Sequence, residues 1–284
     1  MPKAKTPAKV TITPRDRRFG RGVDQRRWWL DDDPVATAFY NALSVTFPKG
    51  EGFFIDSVRQ FRAGVPPRLD AEIAAFIRQE VVHSREHLAF NRHVTQQGYV
   101  VDSLEADVDK QLALARTRPP IASLAATMCL EHFTAILAHE LLADPRHLKG
   151  ADPHAAALWR WHAVEEIEHK GVAYDTWLHA TRDWSRWQRW RMKTSVMLLT
   201  SVHFFNGRRR GILELLQQDG LRGPRIWWRL FWYAFGTPGL ARRVAGQYLA
   251  FFMPGFHPWQ HDDRHLLAAA DDPALAGQPV PARS

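Results

Sequence analysis

Apolar side chains recur every three or four residues along most of this chain, which is the period of an α-helix with one buried face. Acidic residues followed by proline, at Asp33-Pro34 and Asp152-Pro153, are typical helix starts, and Gly98 is a typical helix end. The pattern predicts helices over residues 34–46, 51–63, 70–97, 102–116, 120–143 and 153–180. We therefore expect an all-α fold.

The pattern changes after residue 183, where tryptophan and other aromatic residues interleave with arginine. Ten of the twelve tryptophans lie from Trp159 onward. Because arginine stems pack well over aromatic faces, this part predicts a helical extension packed on the preceding helices. A Trp-rich basic helix also suits the entrance for a hydrophobic substrate, or a contact with a membrane interface. The apolar run at residues 196–205 is too short to cross a bilayer, which needs about 20 residues.

Charged side chains interrupt the apolar stripes of two predicted helices in the same way. Glu80 precedes His83 by three residues, and Glu166 precedes His169 by the same interval. Residues three apart on an α-helix share a face, so each pair directs a carboxylate and an imidazole the same way. One such pair is weak evidence for a metal site, because most chance matches lie on the surface. Two pairs are stronger evidence.

Another glutamate precedes each pair by one predicted helix, namely Glu51 and Glu131. The order Glu, Glu-x-x-His, Glu, Glu-x-x-His matches the ligand set of a four-helix bundle that holds two iron or manganese ions. Glu51 also has a simpler explanation, since the helix dipole favours a carboxylate at a helix N-terminus by about 0.3–1 kcal/mol. Glu131 lies on an otherwise apolar stripe, where a carboxylate needs a metal ion or a salt bridge.

Three further residues lie within about one helical turn of a predicted ligand: His87, His162 and Glu165. We treat them as candidate catalytic residues, with the roles of extra ligand, proton donor or orienting group left open. Glu86 is predicted on the surface or behind a ligand, and Glu168 is predicted in solvent.

Length and composition limit the remaining possibilities. At 284 residues and 45% apolar content, the chain can bury a sizeable core. Its single cysteine, Cys129, excludes an intramolecular disulfide framework and a Cys-rich zinc or iron–sulfur site. No charged-then-apolar secretory segment opens the sequence, so we expect a cytoplasmic protein, with membrane association left open by the aromatic extension.

The net charge is +8 and the pI is near 9.9, which admits an acidic partner. No recognised nucleic-acid module accompanies the charge, so we expect no nucleic-acid function. Part of the charge lies in residues 1–30, which lack periodicity and predict a disordered basic arm. Another part lies in the run Arg208-Arg209-Arg210, which predicts a short loop. Residues 271–284 predict a disordered tail.

Four motifs surround the candidate ligands: FPKGEGFF at 47–54, QEVVHSREH at 79–87, CLEHFT at 129–134 and WHAVEEIEHK at 161–170. Together they resemble the bacterial family described as predicted metal-dependent hydrolases, over roughly residues 34–260. A wider resemblance, to ferritin-like di-iron carboxylate proteins, implies a ferritin-like four-helix bundle with a dinuclear centre. From the residue pattern we place this bundle over residues 31–182 and the helical extension over 183–270. The resemblance implies metal roles for Glu51, Glu80, His83, Glu131, Glu166 and His169.

These residues predict a dinuclear metal enzyme, for which two chemistries are open. Carboxylate-rich sites with two imidazoles suit iron and manganese, so our first expectation is a centre of two iron ions, alternatively manganese, that uses O₂ to oxidise a small hydrophobic molecule. The alternative is a metal-dependent hydrolase of an ester or phosphoester, in which one ion activates water and the other polarises the substrate.

A third hypothesis is a non-catalytic helical protein that binds metal or a membrane. A serine nucleophile is not expected, because the chain has no Gly-x-Ser-x-Gly motif. The surplus of aromatic residues allows a homodimer.

Overall fold

The structure, a computed structural model, describes residues 6–7, 10–20 and 22–271. Within these ranges the regular structure is helical and no β-strand is present, apart from one isolated bridge between Leu30 and Ala151. The expected all-α fold is confirmed. The ferritin-like arrangement stays a prediction, and the predicted tail beyond residue 271 lies outside the described residues.

The helices follow one another with short connections. They are α1 (Pro34–Ser44), α2 (Phe47–Arg59), α3 (Pro67–Gln96), α4 (Asp102–Arg116), α5 (Pro120–Ala143), α6 (Pro153–His169), α7 (Val172–Ala180), α8 (Arg186–Gln218), α9 (Pro224–Phe235), α10 (Leu240–Ala250) and α11 (Arg264–Asp271), with 3₁₀ turns at Pro145–Leu148 and Pro258–Gln260.

Several helix boundaries differ from the sequence prediction, and two of the differences concern helices that carry candidate ligands. We expected a break before Glu51, but α2 begins at Phe47, because Pro48 sits in the first turn, where a missing N–H costs nothing. Glu51 therefore lies inside the helix rather than at its N-terminus. The helix predicted over 153–180 is divided after His169 into α6 and α7. Gly171, at this division, packs against the Trp259 ring, to which a Cβ would come within 3.1 Å.

Four helices form the centre of the molecule. α2 packs on α3 and α5, and α6 packs on α5 and α3. By length and composition alone α5 could cross a membrane, but 72% of its most apolar window is buried in the protein, so its apolar surface is used by the core. α8 and α10 also pack on α5, and α1 packs on α8.

The N-terminal segment differs from the predicted disordered arm. Thr13 N donates to Glu168, Arg15 N donates to Glu165, and Phe19 N donates to Glu86. These carboxylates are buried on α3 and α6 and need donors, which the extended segment supplies. Residues 1–5, 8, 9 and 21 lie outside the described part of the chain.

The prediction of a loop at Arg208-Arg209-Arg210 is wrong, because these residues lie within the 33-residue helix α8. A capping box at Ser185 and Gln188 starts this helix. Gly211 lets it approach its neighbours closely, since a Cβ there would lie 3.2 Å from Leu104. Packing against neighbouring helices thus keeps this segment of α8 helical, although its run of like charges favours a loop.

Candidate metal centre

The six predicted ligands meet in one buried cluster at the centre of α2, α3, α5 and α6. Each of the six residues is at most 3% exposed. The cluster is supplied by Glu51 on α2, Glu80 and His83 on α3, Glu131 on α5, and Glu166 and His169 on α6. Four helices that are distant in sequence therefore contribute to a single site.

The ring nitrogens of the two histidines lie among the carboxylates. His169 Nε2 is 3.2 Å from Glu80 Oε1, 3.5 Å from Glu131 Oε2 and 3.5 Å from Glu166 Oε1. On the other side, His83 Nδ1 is 3.6 Å from Glu166 Oε1 and 4.0 Å from Glu80 Oε1.

Three overlapping groups have donor atoms close enough together to hold a metal ion, with all donors of a group within 4.8 Å of one another. They are Glu80-Glu131-His169, Glu80-His83-Glu166 and Glu51-His83-His162. The first two groups share Glu80.

The nitrogen and oxygen atoms of these side chains are better suited to binding metal ions than to hydrogen bonding with one another. Eight buried polar atoms of the six ligands have no hydrogen-bond partner among the described residues: Glu51 Oε1, Glu80 Oε1 and Oε2, His83 Nδ1, Glu131 Oε1 and Oε2, Glu166 Oε2 and His169 Nε2. A buried acceptor without a partner costs about 1–3 kcal/mol. A cluster of such acceptors fits cations that the carboxylates and imidazoles would coordinate.

Burial controls the protonation of the cluster. Burial, with the neighbouring carboxylates, raises the pKa of Glu80 and Glu131 well above the usual value, and burial does the same for Glu51. Burial acts to raise the pKa of Glu166 too, but His169 and His162 hold it well below its usual value. These pKa values mean that metal binding would displace protons from the carboxylates.

The orientation of His169 is fixed by a chain of hydrogen bonds behind it. Gln79 Nε2 donates to Glu168 at 2.8 Å, which turns Gln79 Oε1 toward His169 Nδ1 at 2.9 Å. His169 therefore carries its proton on Nδ1 and presents the lone pair of Nε2 to the cluster. We expected Glu168 in solvent, but it is only 5% exposed, because Arg15 pairs with it at 2.8 Å.

His83 is oriented in a similar way by Glu165. The distance between His83 Nε2 and Glu165 Oε2 is 3.1 Å, and Glu165 Oε1 accepts from Trp161 and from the backbone N–H of Arg15. When Glu165 is ionised it accepts from His83 Nε2, and His83 then presents the lone pair of Nδ1 to the cluster. Burial raises the pKa of Glu165 to about 8, although Arg15 opposes this. Glu165 thus lies behind a predicted ligand and does not face the interior of the site.

A second relay ends at His162. Asn91 Nδ2 donates to the carbonyl of Ser44, and Ser44 Oγ donates to Asn91 Oδ1 at 2.6 Å. The Ser44 hydroxyl can then only accept from His87 Nδ1, at 2.8 Å, so neutral His87 has a lone pair on Nε2. His162 Nδ1 must donate to that lone pair, at 2.6 Å.

The consequence is that a neutral His162 would present the lone pair of Nε2 to Glu166 Oε1, 2.9 Å away. Two lone pairs repel, so this contact is favourable only with a proton or a cation between the two groups. His162 also stacks on His83, with ring centroids 4.2 Å apart. The structure therefore brings His162 into the cluster and leaves His87 one hydrogen bond behind it.

Sequence reasoning missed several residues that support the site. Ser84 donates to Glu51 at 2.7 Å, and Gln79, Ser44, Asn91 and Arg15 orient ligands as described above. Gln79 and Ser84 lie inside the motif around His83, so their polar side chains next to candidate ligands could have indicated a supporting role. Arg15 carried no local signal. Glu86, predicted on the surface or behind a ligand, is 1% exposed and accepts from Arg85 and Phe19 N.

Two cavities lie beside the cluster. The inner pocket, ≈ 30 Å³, is lined by Glu166 and His162 as well as by Leu43, Phe47 and Thr134. The outer cavity, ≈ 230 Å³ and mainly apolar, is lined by the same Leu43, Phe47 and Thr134. These three side chains therefore form a partition between a space that reaches the ligands and a larger apolar space outside it.

The fold and this site define an all-α protein with a buried cluster of glutamate and histidine suited to metal ions. The chain belongs to the family described as predicted metal-dependent hydrolase, whose model matches residues 13–262. No curated protein and no solved structure gives a significant match.

Proposed function

We propose that this protein is a dinuclear metal-dependent hydrolase that acts on an ester or phosphoester with an apolar body. The observation that carries the proposal is the pair of ligand groups sharing Glu80, next to an apolar cavity. Membership of a family described as metal-dependent hydrolases supports the same reaction class.

The ligands have distinct roles in this proposal. Glu80, Glu131 and His169 would hold one ion, and Glu80, His83 and Glu166 the other, with Glu51 and His162 completing the second position. The carboxylate-rich donor set favours iron or manganese over zinc. Two bound ions would supply a nucleophilic water at neutral pH and polarise the substrate oxygen.

Other residues of the site orient the ligand side chains or shape the space for the substrate. Gln79 and Glu165 hold the two imidazoles in the metal-binding tautomer, and Leu43, Phe47 and Thr134 separate the site from the outer cavity. Arg208 lines that cavity and donates to the carbonyl of Ala42. A molecule with an apolar chain and one polar end fits such a lining.

The test is ester turnover without oxygen by protein loaded with iron or manganese. We expect about two ions per chain, and turnover of p-nitrophenyl acyl esters or a phosphodiester. Glu131→Gln should lower both metal content and kcat/KM, the latter by at least about 100-fold. The control, Glu140→Gln, changes a glutamate on the same helix that pairs with Arg243 outside the cluster, and should retain both. Turnover that survives Glu131→Gln or metal removal would contradict the proposal.

A second candidate is O₂-dependent oxidation of a hydrophobic small molecule. The observation that favours it is the ligand set of four carboxylates and two imidazoles, which suits iron, beside an apolar cavity. Ferrous protein would then consume O₂ when an apolar substrate is added, and Glu131→Gln would not. Metal binding with neither ester turnover nor O₂ uptake would favour the non-catalytic hypothesis.

A further inference from the structure

Large apolar side chains are exposed on one part of the chain. Twelve of the sixteen such side chains among the described residues lie between Trp187 and Met253, on and around α8, α9 and α10. Exposed patches larger than a few hundred Å² on a soluble protein mark sites of interaction. This concentration is therefore the strongest candidate surface outside the metal centre.

Helix α9 shows the pattern most clearly. Ile226 is its one buried residue, whereas Trp227, Trp228, Phe231, Trp232 and Phe235 are each at least 50% exposed. The outward rings also contact one another. Trp228 lies 5.7 Å from Phe231 and 6.2 Å from Trp232, and Phe231 lies 5.2 Å from Phe235, measured between ring centroids. They form a continuous aromatic surface.

Helix α8 adds an apolar stripe with basic ends. Leu198, Leu199, Val202 and Phe205 recur at helical spacing and are each more than 50% exposed. Arg191 precedes the stripe, and the run from Arg208 follows it, with Arg209 and Arg210 exposed. α10 connects the two surfaces, because it packs on α9, and its Tyr248 contacts Ser201 and Phe205 on α8. We call the exposed residues of these three helices the aromatic face.

The positive charge of the chain coincides with this face. Residues 186–250 contain twelve Arg or Lys and two Asp or Glu, an excess of ten. The rest of the chain contains 26 basic and 28 acidic residues, so outside this segment the charge is slightly negative. Aromatic side chains surrounded by arginine suit the boundary of a bilayer, where rings enter the acyl region and guanidinium groups meet anionic phosphates.

The same charge argues against a second copy of the chain as the occupant. In a two-fold dimer the same patch faces itself, so the exposed Arg222 and Arg225 beside the aromatic rings would face like charges. An anionic lipid surface neutralises them. The outer cavity is also continuous with this side of the molecule, because Leu199 both lines the cavity and belongs to the exposed stripe.

We propose that the aromatic face docks on an anionic lipid bilayer, with the rings of α9 inserted at the interface and the flanking arginines at the phosphate level. Docking does not depend on the reaction at the metal centre. It explains why the cavity opens beside exposed apolar side chains: a lipid-soluble substrate can enter from the bilayer without crossing water.

The experiment is co-sedimentation of the full-length, metal-loaded protein with vesicles of phosphatidylcholine alone or mixed with phosphatidylglycerol. We expect binding to the anionic vesicles that weakens as sodium chloride is raised. Trp228→Glu/Phe231→Glu should weaken it at least about tenfold. The matched control, Leu88→Glu/Val100→Glu, changes two exposed apolar residues outside the face and should bind normally. Circular dichroism and metal content report whether each variant is folded.

A charge variant tests the second half of the proposal. Arg222→Gln/Arg225→Gln should lower the affinity for anionic vesicles about fivefold per arginine. Its affinity for vesicles of phosphatidylcholine alone should equal that of the parent protein. Equal binding to both vesicle types, or unchanged binding of Trp228→Glu/Phe231→Glu, would overturn the proposal. A dimer in sedimentation velocity that Trp228→Glu/Phe231→Glu dissociates would also overturn it and assign the face to a second copy.

Discussion

Each histidine of the cluster presents one ring nitrogen inward because the other nitrogen is held by a specific partner. Gln79 holds His169, Glu165 holds His83, and the relay from Asn91 sets His162. The atoms left free, His83 Nδ1 and His169 Nε2, are among the buried atoms without a hydrogen-bond partner. Individual residues thus determine which atoms can serve as ligands.

Gln79→Leu tests the orienting role at the residue scale. Without the amide oxygen, His169 loses its Nδ1 acceptor and samples other ring orientations, so metal affinity should fall about 10–100-fold. Competition with a chelator measures this. Arg78→Leu, a change of the exposed neighbour on the same helix, is the control and should leave affinity unchanged. Equal affinities in Gln79→Leu and the parent would show that the bond does not orient the ligand.

Arg15, in the N-terminal segment, contacts two buried glutamates of α6. Its guanidinium lies 2.8 Å from Glu168 and 3.5 Å from Glu165. Arg15→Met leaves both carboxylates with fewer donors, so the free energy of unfolding should fall by about 1–3 kcal/mol. Urea denaturation measures this. Arg17→Met, at an exposed position two residues away, should change stability by less than about 0.5 kcal/mol.

At the scale of elements, α5 combines two tasks. It contributes Glu131 to the cluster and, through residues such as Ala126 and Leu130, forms a wall of the outer cavity. Its small residues leave space where a uniform row of leucines would fill it. Helix packing therefore sets the size of the apolar cavity, while the position of Glu131 adds a carboxylate to the candidate metal site.

Ala126→Phe tests whether the outer cavity receives substrate. The added ring occupies part of the ≈ 230 Å³ space, so KM for long acyl esters should rise at least about tenfold while metal content stays constant. Steady-state kinetics over a series of acyl lengths measure it. Ala71→Phe, on the solvent side of α3, is the control. Unchanged KM for every acyl length would place substrate elsewhere.

At the scale of the whole molecule, the buried cluster of glutamate and histidine couples stability to pH. Glu51, Glu80 and Glu131 have raised pKa values, so the folded metal-free protein binds more protons than the unfolded chain, and stability is lost as pH rises. The lowered pKa of His83 acts in the opposite direction, but only below about pH 6.5. Burial lowers the pKa of Lys193 to about 8, which makes stability rise with pH above about pH 8.

The metal-free protein should therefore lose stability between about pH 6.5 and 8, visible as a falling Tm. Metal binding requires ionised carboxylates, so saturating iron or manganese should raise Tm and remove or reverse this slope. Differential scanning calorimetry of chelator-treated and metal-loaded protein measures both. Identical pH profiles for the two forms would contradict a metal centre at these residues.

Local pattern alone predicted the helices and the candidate ligands. Helical periodicity and Asp-Pro starts gave the all-α fold, and the spacing of Glu80 with His83 and of Glu166 with His169 predicted two candidate ligand pairs, whose side chains the structure brings together. Such features depend on neighbours within one or two turns. The assignments of His87, His162 and Glu165 were less complete, because the sequence shows that a residue is near a ligand but not which way its hydrogen bonds run.

Only the tertiary structure decided the features that join distant parts of the chain. Arg15 reaches Glu168 across 153 residues, and Gln79 reaches the same carboxylate across 89. Burial of Glu168, the continuation of α8 through Arg208 and the partition at Phe47 likewise depend on which surfaces meet. The sequence by itself determined most of the helices and the candidate ligand pairs, because both are local. The orientation of these side chains, the cavity and the exposed aromatic face depended on packing between helices far apart in the chain.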